Sequence, residues 1–177
     1  MNSKLDEVIK RITLLESRVA KLESSNDIEN KIQSIYDNYK DYDYIDEDLD
    51  NYHIKTIDEF NGARGGICWD FVGPIANDLE RIGVQCKCYF TGIHVNGEMI
   101  ASHTYIISDT SPRYWIECAW MIHRGVHRCT SYKCVESLLK CEYNADEIYT
   151  LMYDPFEVYG KTTKQFFDYL EQNAIEL

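Results

Sequence analysis

Apolar residues near the start of the chain recur in alternating steps of three and four. The set consists of Leu5, Val8, Ile12, Leu15, Val19 and Leu22. This spacing is typical of a coiled-coil seam, with Leu5, Ile12 and Val19 at the a positions of the heptad. Charged residues flank the seam at g and e positions and allow two pairs between parallel neighbours, Arg11 with Glu16 and Arg18 with Glu23. The pattern predicts an oligomerisation helix over residues 4–23.

A short motif that occurs twice in this helix favours three strands over two. Residues 11–16 and 18–23 both resemble the trimerisation motif of trimeric coiled coils. Three heptads are short for a free-standing coil, because isolated helices of this length are marginally stable in water. The alternative is a single amphipathic helix folded back on its own domain. We expect self-association, with a trimer ahead of a dimer.

A second helical pattern follows two glycines at positions 65 and 66. Its apolar stripe consists of Cys68, Val72, Ile75, Ala76, Leu79 and Ile82. Pro74 removes the hydrogen bond to Asp70, so either the first turn is kinked or the regular helix begins near Pro74. In both cases Cys68 lies close to a helix N terminus, where unpaired amides and the helix dipole favour thiolate over thiol.

Alternation of apolar and polar residues predicts an antiparallel sheet in the middle of the chain. Predicted strands cover residues 84–91, 100–107 and 113–120, with a strong hairpin signal at Asn96 and Gly97. Further helices near residues 131–140 and from Thr162 onward, with a short strand over residues 148–153, complete the pattern. A cysteine-bearing helix packed on such a sheet is an α+β fold.

The turn at residues 108–112 sets the register of the two strands around it. With residue 107 opposite residue 113, His103 and Glu117 become direct cross-strand partners, about 5 Å apart at Cβ. An imidazole beside a carboxylate is a base with its orienter, because the carboxylate fixes the tautomer and stabilises the imidazolium. With Cys68 they supply the three groups of an activated cysteine nucleophile.

The segments that carry these residues, GICWD at 66–70, SHTY at 102–105 and YWIE at 114–117, resemble the transglutaminase-like (papain-like) superfamily of cysteine proteases and acyltransferases. They are most similar to those of small bacterial and phage transglutaminase-like proteins. The resemblance covers about residues 55–175. It implies a catalytic triad of Cys68, His103 and Glu117 and a thioester intermediate formed from an amide bond of a protein or peptide.

Two departures from the superfamily concern the same site. The third triad member is most often Asp, and here it is Glu117; a papain-like enzyme also carries glutamine where this chain has Gly62. Oxyanion stabilisation is then expected from the backbone amide of Cys68 and a second donor, for which Asn61 is a candidate. Trp69 is expected to pack beside the thiol. The resemblance alone suggests that His127 lines the cleft.

Two function classes stay open. Water as acyl acceptor gives a peptidase, isopeptidase or deamidase, and a lysine amine gives a transglutaminase. The alternative class is a non-catalytic oligomeric adaptor that retains the fold and a relict triad. The classes differ in whether Cys68, among all the cysteines, is a reactive thiolate.

The other cysteines point to a reducing compartment. The total is seven, an odd number, and no apolar secretory signal is recognised in the sequence, so we expect free thiols in the cytoplasm rather than a disulfide framework. The spacings of Cys86 and Cys88, His123 and His127, and Cys129 and Cys134 match no paired zinc pattern. No metal or cofactor is expected.

The net charge of the chain bears on which classes of macromolecule it can bind. The net charge of −12 argues against nucleic acid, because phosphate binding needs clustered Lys and Arg. No apolar run approaches the roughly 20 residues of a membrane span.

We divide the chain into three parts. These are a coiled-coil helix over residues 1–25, an acidic, tyrosine-rich and partly helical linker over residues 26–54, which we expect to be solvated, and a catalytic domain over residues 55–177.

Overall fold

The computed structural model describes the backbone of residues 2–177 and the side chains of Glu7 and of residues 9–177, so the predicted seam residues Leu5 and Val8 lie outside the described side chains. The helices are α1 (Asn2–Tyr39), α2 (Ile57–Ala63), α3 (Cys68–Arg81), α4 (Lys133–Glu142) and α5 (Thr163–Asn173). The strands are β1 (Asp43–Tyr44), β2 (Gly65–Gly66), β3 (Cys86–Val95), β4 (Glu98–Ser108), β5 (Arg113–Glu117), β6 (Gly125–Cys129), β7 (Glu147–Tyr153) and β8 (Ile175–Glu176). Within the described chain, none of these helices is both long and apolar enough to cross a membrane.

Six strands form one antiparallel sheet, in the order β6-β5-β4-β3-β7-β8. β3 and β4 are a hairpin around Asn96 and Gly97, whose positive φ angles of 54° and 81° fit the two-residue turn predicted there. β1 and β2 pair in parallel apart from this sheet. The predicted α+β fold with an antiparallel sheet is confirmed.

Helices pack on both faces of the sheet, because side chains alternate along each strand. On one face Phe90 and Ile106 share a core with α3 and α5. On the other face Tyr105 and Trp115 share a core with α4. α3 begins at Cys68 and contains Pro74, so the helix does not start at the proline.

α1 continues without a break past the predicted end of the coiled coil, and its last turns belong to the domain core. Ile32, Ile35 and Tyr39 are buried there, and Ile54 is buried farther along the same stretch. The structure therefore differs from the solvated linker expected over residues 26–54. The apolar side chains anchor this stretch, whereas most of its carboxylates remain exposed.

Candidate active site

The segment directly before Cys68 is paired with β1. The amide of Asp43 donates to the carbonyl of Arg64 at 3.0 Å. A side chain at Gly65 would collide with the carbonyl oxygen of Asp43, so only glycine permits this close approach of two backbones. The pairing places β1 alongside the turn that leads into the thiol.

Asp70 holds this turn from within the first turn of α3. One carboxylate oxygen accepts from the amide of Lys55 at 2.8 Å, and the other accepts from the amide of Ile67 at 2.9 Å and from the hydroxyl of Tyr52. The ammonium of Lys55 lies 3.4 Å away. Because Asp70 is only 1% exposed, these donors replace water around its charge. The turn that carries Cys68 is therefore tied to the preceding chain.

The register between β4 and β5 differs from the prediction. Ile107 lies opposite Trp115 rather than residue 113. The turn is wider than expected, and the Ser108 hydroxyl fills it by accepting from the amide of Tyr114 at 2.8 Å. The predicted register is therefore wrong by two residues.

His103 and Glu117 nevertheless meet, because a shift by an even number of residues keeps both side chains on one face. Nε2 of His103 lies 2.7 Å from Oε2 of Glu117. The ladder between β4 and β5 ends at the pair of Ile106 and Ile116, and both groups lie beyond it, where the sheet opens. The opening allows Cys68, at the start of the helix on the other face, to reach the imidazole.

The carboxylate of Glu117 is held ionised. Burial alone would raise its pKa, but the charge of His103, the hydrogen bond to the ring and two backbone amides lower it overall. These amides belong to Ala119 and Trp120 and donate to Oε1 at 2.8 Å each. Both oxygens are thus occupied, which fixes the orientation of the carboxylate toward the imidazole.

The imidazole of His103 is held protonated. Burial alone would lower its pKa, but the Glu117 charge and the hydrogen bonds with Cys68 and Glu117 outweigh it and raise the pKa to about 10. Because Nε2 binds Glu117, Nδ1 is the ring nitrogen that remains for the sulfur. The imidazolium and the carboxylate therefore form a buried ion pair, and Cys68 acts on the pKa of the same ring.

The triad is almost closed to solvent. Cys68 is 6%, His103 7% and Glu117 2% exposed. Two half-exposed tyrosines lie near the sulfur: burial first, and the charge of Cys68 next, raise the pKa of Tyr44 to about 12 and also raise that of Tyr143. Tyr44 belongs to β1, so the segment paired beside the thiol also contributes a ring to its surroundings.

Trp69 and Asn61, two further residues predicted for the site, have different surroundings. Trp69 is buried beside Cys68 and packs on Phe166, with 4.8 Å between ring centroids. Asn61 is exposed on α2, and its amide oxygen accepts from the Tyr42 hydroxyl at 3.3 Å.

His127 lies farther out, on β6. Its ring packs on Trp115 at 4.9 Å, and its Nε2 lies 2.7 Å from the carbonyl oxygen of His123. Trp120, which sequence reasoning missed, packs edge-on against His103 at 5.4 Å as well as donating its amide to Glu117. Its place three residues after the YWIE segment was the available signal.

Within the described residues, no group of three or more His, Cys, Asp or Glu side chains is arranged to hold a metal ion. A scan against protein-family models, a search of curated proteins and a search of solved structures find no match for this chain. The transglutaminase-like resemblance therefore rests on the sequence motifs, and the chemistry of the site is argued from its own geometry.

Proposed function

We propose that this protein is a cysteine-dependent acyl-transfer enzyme acting on amide bonds of a protein or peptide. The observation that supports this most is the 2.7 Å contact between Nε2 of His103 and Glu117, which leaves Nδ1 to Cys68 at the start of α3. A thiol, a base and an orienter in hydrogen-bonding reach are what an activated cysteine requires.

The proposed reaction starts with the proton already on the ring, as a Cys68 thiolate beside the His103 imidazolium. The sulfur attacks the amide carbonyl carbon, and the resulting tetrahedral intermediate collapses as His103 returns the proton to the leaving amine. The C–N bond breaks and a thioester remains on Cys68. Water or an amine then attacks the thioester as His103 takes its proton, the C–S bond breaks, and the acyl product leaves the thiolate and the imidazolium restored.

The first turn of α3 supports the oxyanion of that intermediate. The amides that open a helix have no carbonyl partner within it, and the amide of Cys68 is the first of them. The positive end of the helix dipole favours negative charge at the same place. Asn61 stays a proposed second donor through its Nδ2, because its hydrogen bond with Tyr42 uses the amide oxygen.

The proposal is tested by the pH dependence of alkylation at each cysteine, mapped by mass spectrometry on the native chain and on His103→Ala. We expect Cys68 to react well below the ordinary thiol pKa of about 8.5, and the substitution to slow it at least about tenfold. Cys141, which is exposed on α4, is the matched control and should not change. Labelling of Cys68 no faster than that of Cys141 would exclude an activated thiol.

The near-complete enclosure of the triad favours a second candidate function. A group only 6% exposed, such as Cys68, cannot accept a polypeptide substrate without movement of its surroundings. An adaptor that retains the fold and binds partners elsewhere needs no such movement. The alkylation experiment separates the two, because the adaptor predicts an unreactive Cys68.

We expect the β1 segment to limit access to the thiol. Tyr44→Ala removes the ring beside Cys68 and should speed its alkylation at least about threefold at every pH, without moving the pH midpoint, because the charges around His103 are unchanged. Tyr44→Phe keeps the ring and is the matched control. Equal rates for the native chain and Tyr44→Ala would show that another segment closes the site.

A further inference from the structure

The outer half of α1 carries a stripe of large apolar side chains that its own domain leaves exposed. Its five described members are between 50% and 64% exposed: Ile9, Ile12, Leu15, Val19 and Leu22. Monomeric proteins rarely expose a contiguous apolar patch of this extent unless something binds it. The alternative of a helix folded back on its own domain is not what the structure shows for these residues.

The face of α1 that contacts the domain is a different one. Domain contacts are made by Ile32, Ile35 and Tyr39, and by Glu29, which accepts from the Tyr114 hydroxyl at 2.9 Å. At about 100° per residue, this face and the exposed stripe are centred more than a quarter turn apart around the helix. The outer part of the stripe can therefore be covered by another helix without displacing the domain, whereas Leu22 at its inner end borders a cavity with Ser111 and Pro112.

The composition of the exposed half suits a second copy of the same helix. Residues 4–23 contain five basic and four acidic side chains, whereas the whole chain has a net charge of −12. The repulsion expected between acidic domains is therefore absent from this segment. Arg11 and Arg18 flank one side of the seam, and Glu16 and Glu23 flank the other. Identical parallel helices therefore present opposite charges to each other at these positions.

The width of the stripe favours three helices. Ile9 occupies an e position next to the a residues, so the apolar arc is wider than a strict two-position seam. We propose that residues 4–23 assemble with the same residues of two further copies into a parallel three-stranded coiled coil, independently of whether the domain is an enzyme. In that assembly Arg11 and Arg18 face Glu16 and Glu23 of neighbouring helices.

Sedimentation equilibrium of the full chain at micromolar concentration tests the assembly. The native chain is expected to have three times the chain mass. Leu15→Lys with Val19→Lys places charges in the stripe and should give the monomer mass, whereas Thr13→Lys with Ser17→Lys adds the same charge outside the seam and should stay trimeric. A monomeric native chain overturns self-association, and a dimer overturns the three-helix arrangement.

Charge exchange tests the orientation. Arg11→Glu with Arg18→Glu places like charges at the g and e positions and should weaken association at least about tenfold. Adding Glu16→Arg and Glu23→Arg restores opposite charges only between parallel helices and should restore the native mass. Failure of the fourfold exchange to recover association, with the domain still folded by circular dichroism, overturns the parallel arrangement.

Discussion

Replacing Glu117 with glutamine is expected to bring the pKa of His103 down from about 10 toward its ordinary value of 6.5. The buried negative charge opposes the desolvation of the ring, and glutamine keeps the shape of the side chain but loses that charge. If the proposed reaction holds, the imidazolium that protonates the leaving amine is lost at neutral pH. Turnover should then fall on the order of 10²–10⁴-fold.

Titration of the His103 ring protons by NMR measures this change directly and needs no substrate. The exposed His53 lies outside the triad and serves as the internal reference. Glutamine can still accept hydrogen bonds from the amides of Ala119 and Trp120, so the variant is expected to fold. An unchanged titration of His103 would mean that Glu117 does not set the charge of the imidazole.

The same pair links stability to pH. The raised pKa of His103 contributes stability that is complete below about 6.5 and is lost as pH rises through about 10. The lowered pKa of Glu117 contributes stability present above 4.5 and lost as pH falls through its folded value. Urea unfolding should therefore show the pair's contribution to be greatest between about pH 4.5 and 6.5, and this dependence should flatten in Glu117→Gln.

Asp70→Ala is expected to destabilise the fold by about 3–5 kcal/mol, because it leaves buried donors without their acceptor. The amides of Lys55 and Ile67 and the hydroxyl of Tyr52 all lose their partner in one substitution. The midpoint of urea unfolding measures the loss. Asp58→Ala removes an exposed first-turn carboxylate from α2 and is the matched control, with an expected cost below about 1 kcal/mol.

The milder variant Tyr52→Phe separates the contribution of Asp70 to stability from its contact with the turn before Cys68. Tyr52→Phe removes one donor and keeps the carboxylate with its two backbone amide donors, so a loss of about 1 kcal/mol is expected. Asp70 also holds the turn before Cys68 through the amide of Ile67. Tyr52→Phe leaves that hydrogen bond in place, so the rate of Cys68 alkylation is expected to stay near the native rate. A loss in Asp70→Ala no larger than in Asp58→Ala would show that the network of Asp70 does not stabilise the fold.

Local patterns in the sequence were sufficient where neighbours along the chain decide the structure. The turn at Asn96 and Gly97 follows from backbone preferences. The apolar spacing predicts α3 itself, although Pro74 left its first residue open until the structure placed it at Cys68. That His103 and Glu117 share a face follows from the two-residue period of strands, which survives a wrong register when the error is even. The register itself depends on the Ser108 side chain inside a turn, which periodicity does not report.

Long-range placement was not predictable in the same way. Tyr44 lies in an acidic stretch without apolar periodicity, and only the pairing of β1 with β2 brings it to Cys68. The continuation of α1 had a signal, because Ile28, Ile32, Ile35 and Tyr39 keep helical spacing after the heptads end. The abundance of carboxylates around them favoured a solvated linker, although burial is decided by one face of a helix rather than by average composition.

The unbroken course of α1 also has a mechanical consequence. Thirty-eight residues make a rod of roughly 57 Å with no joint between its exposed end and its buried end. Just past its last turn, the guanidinium of Arg124 donates hydrogen bonds to the carbonyls of Lys40 and Tyr42 at 3.0 Å and 2.8 Å. Because the helix is continuous, a rotation imposed at its far end is transmitted to the domain. Domains carried on such helices would not tumble independently, and in the proposed assembly each domain would be held at the same fixed angle to its helix.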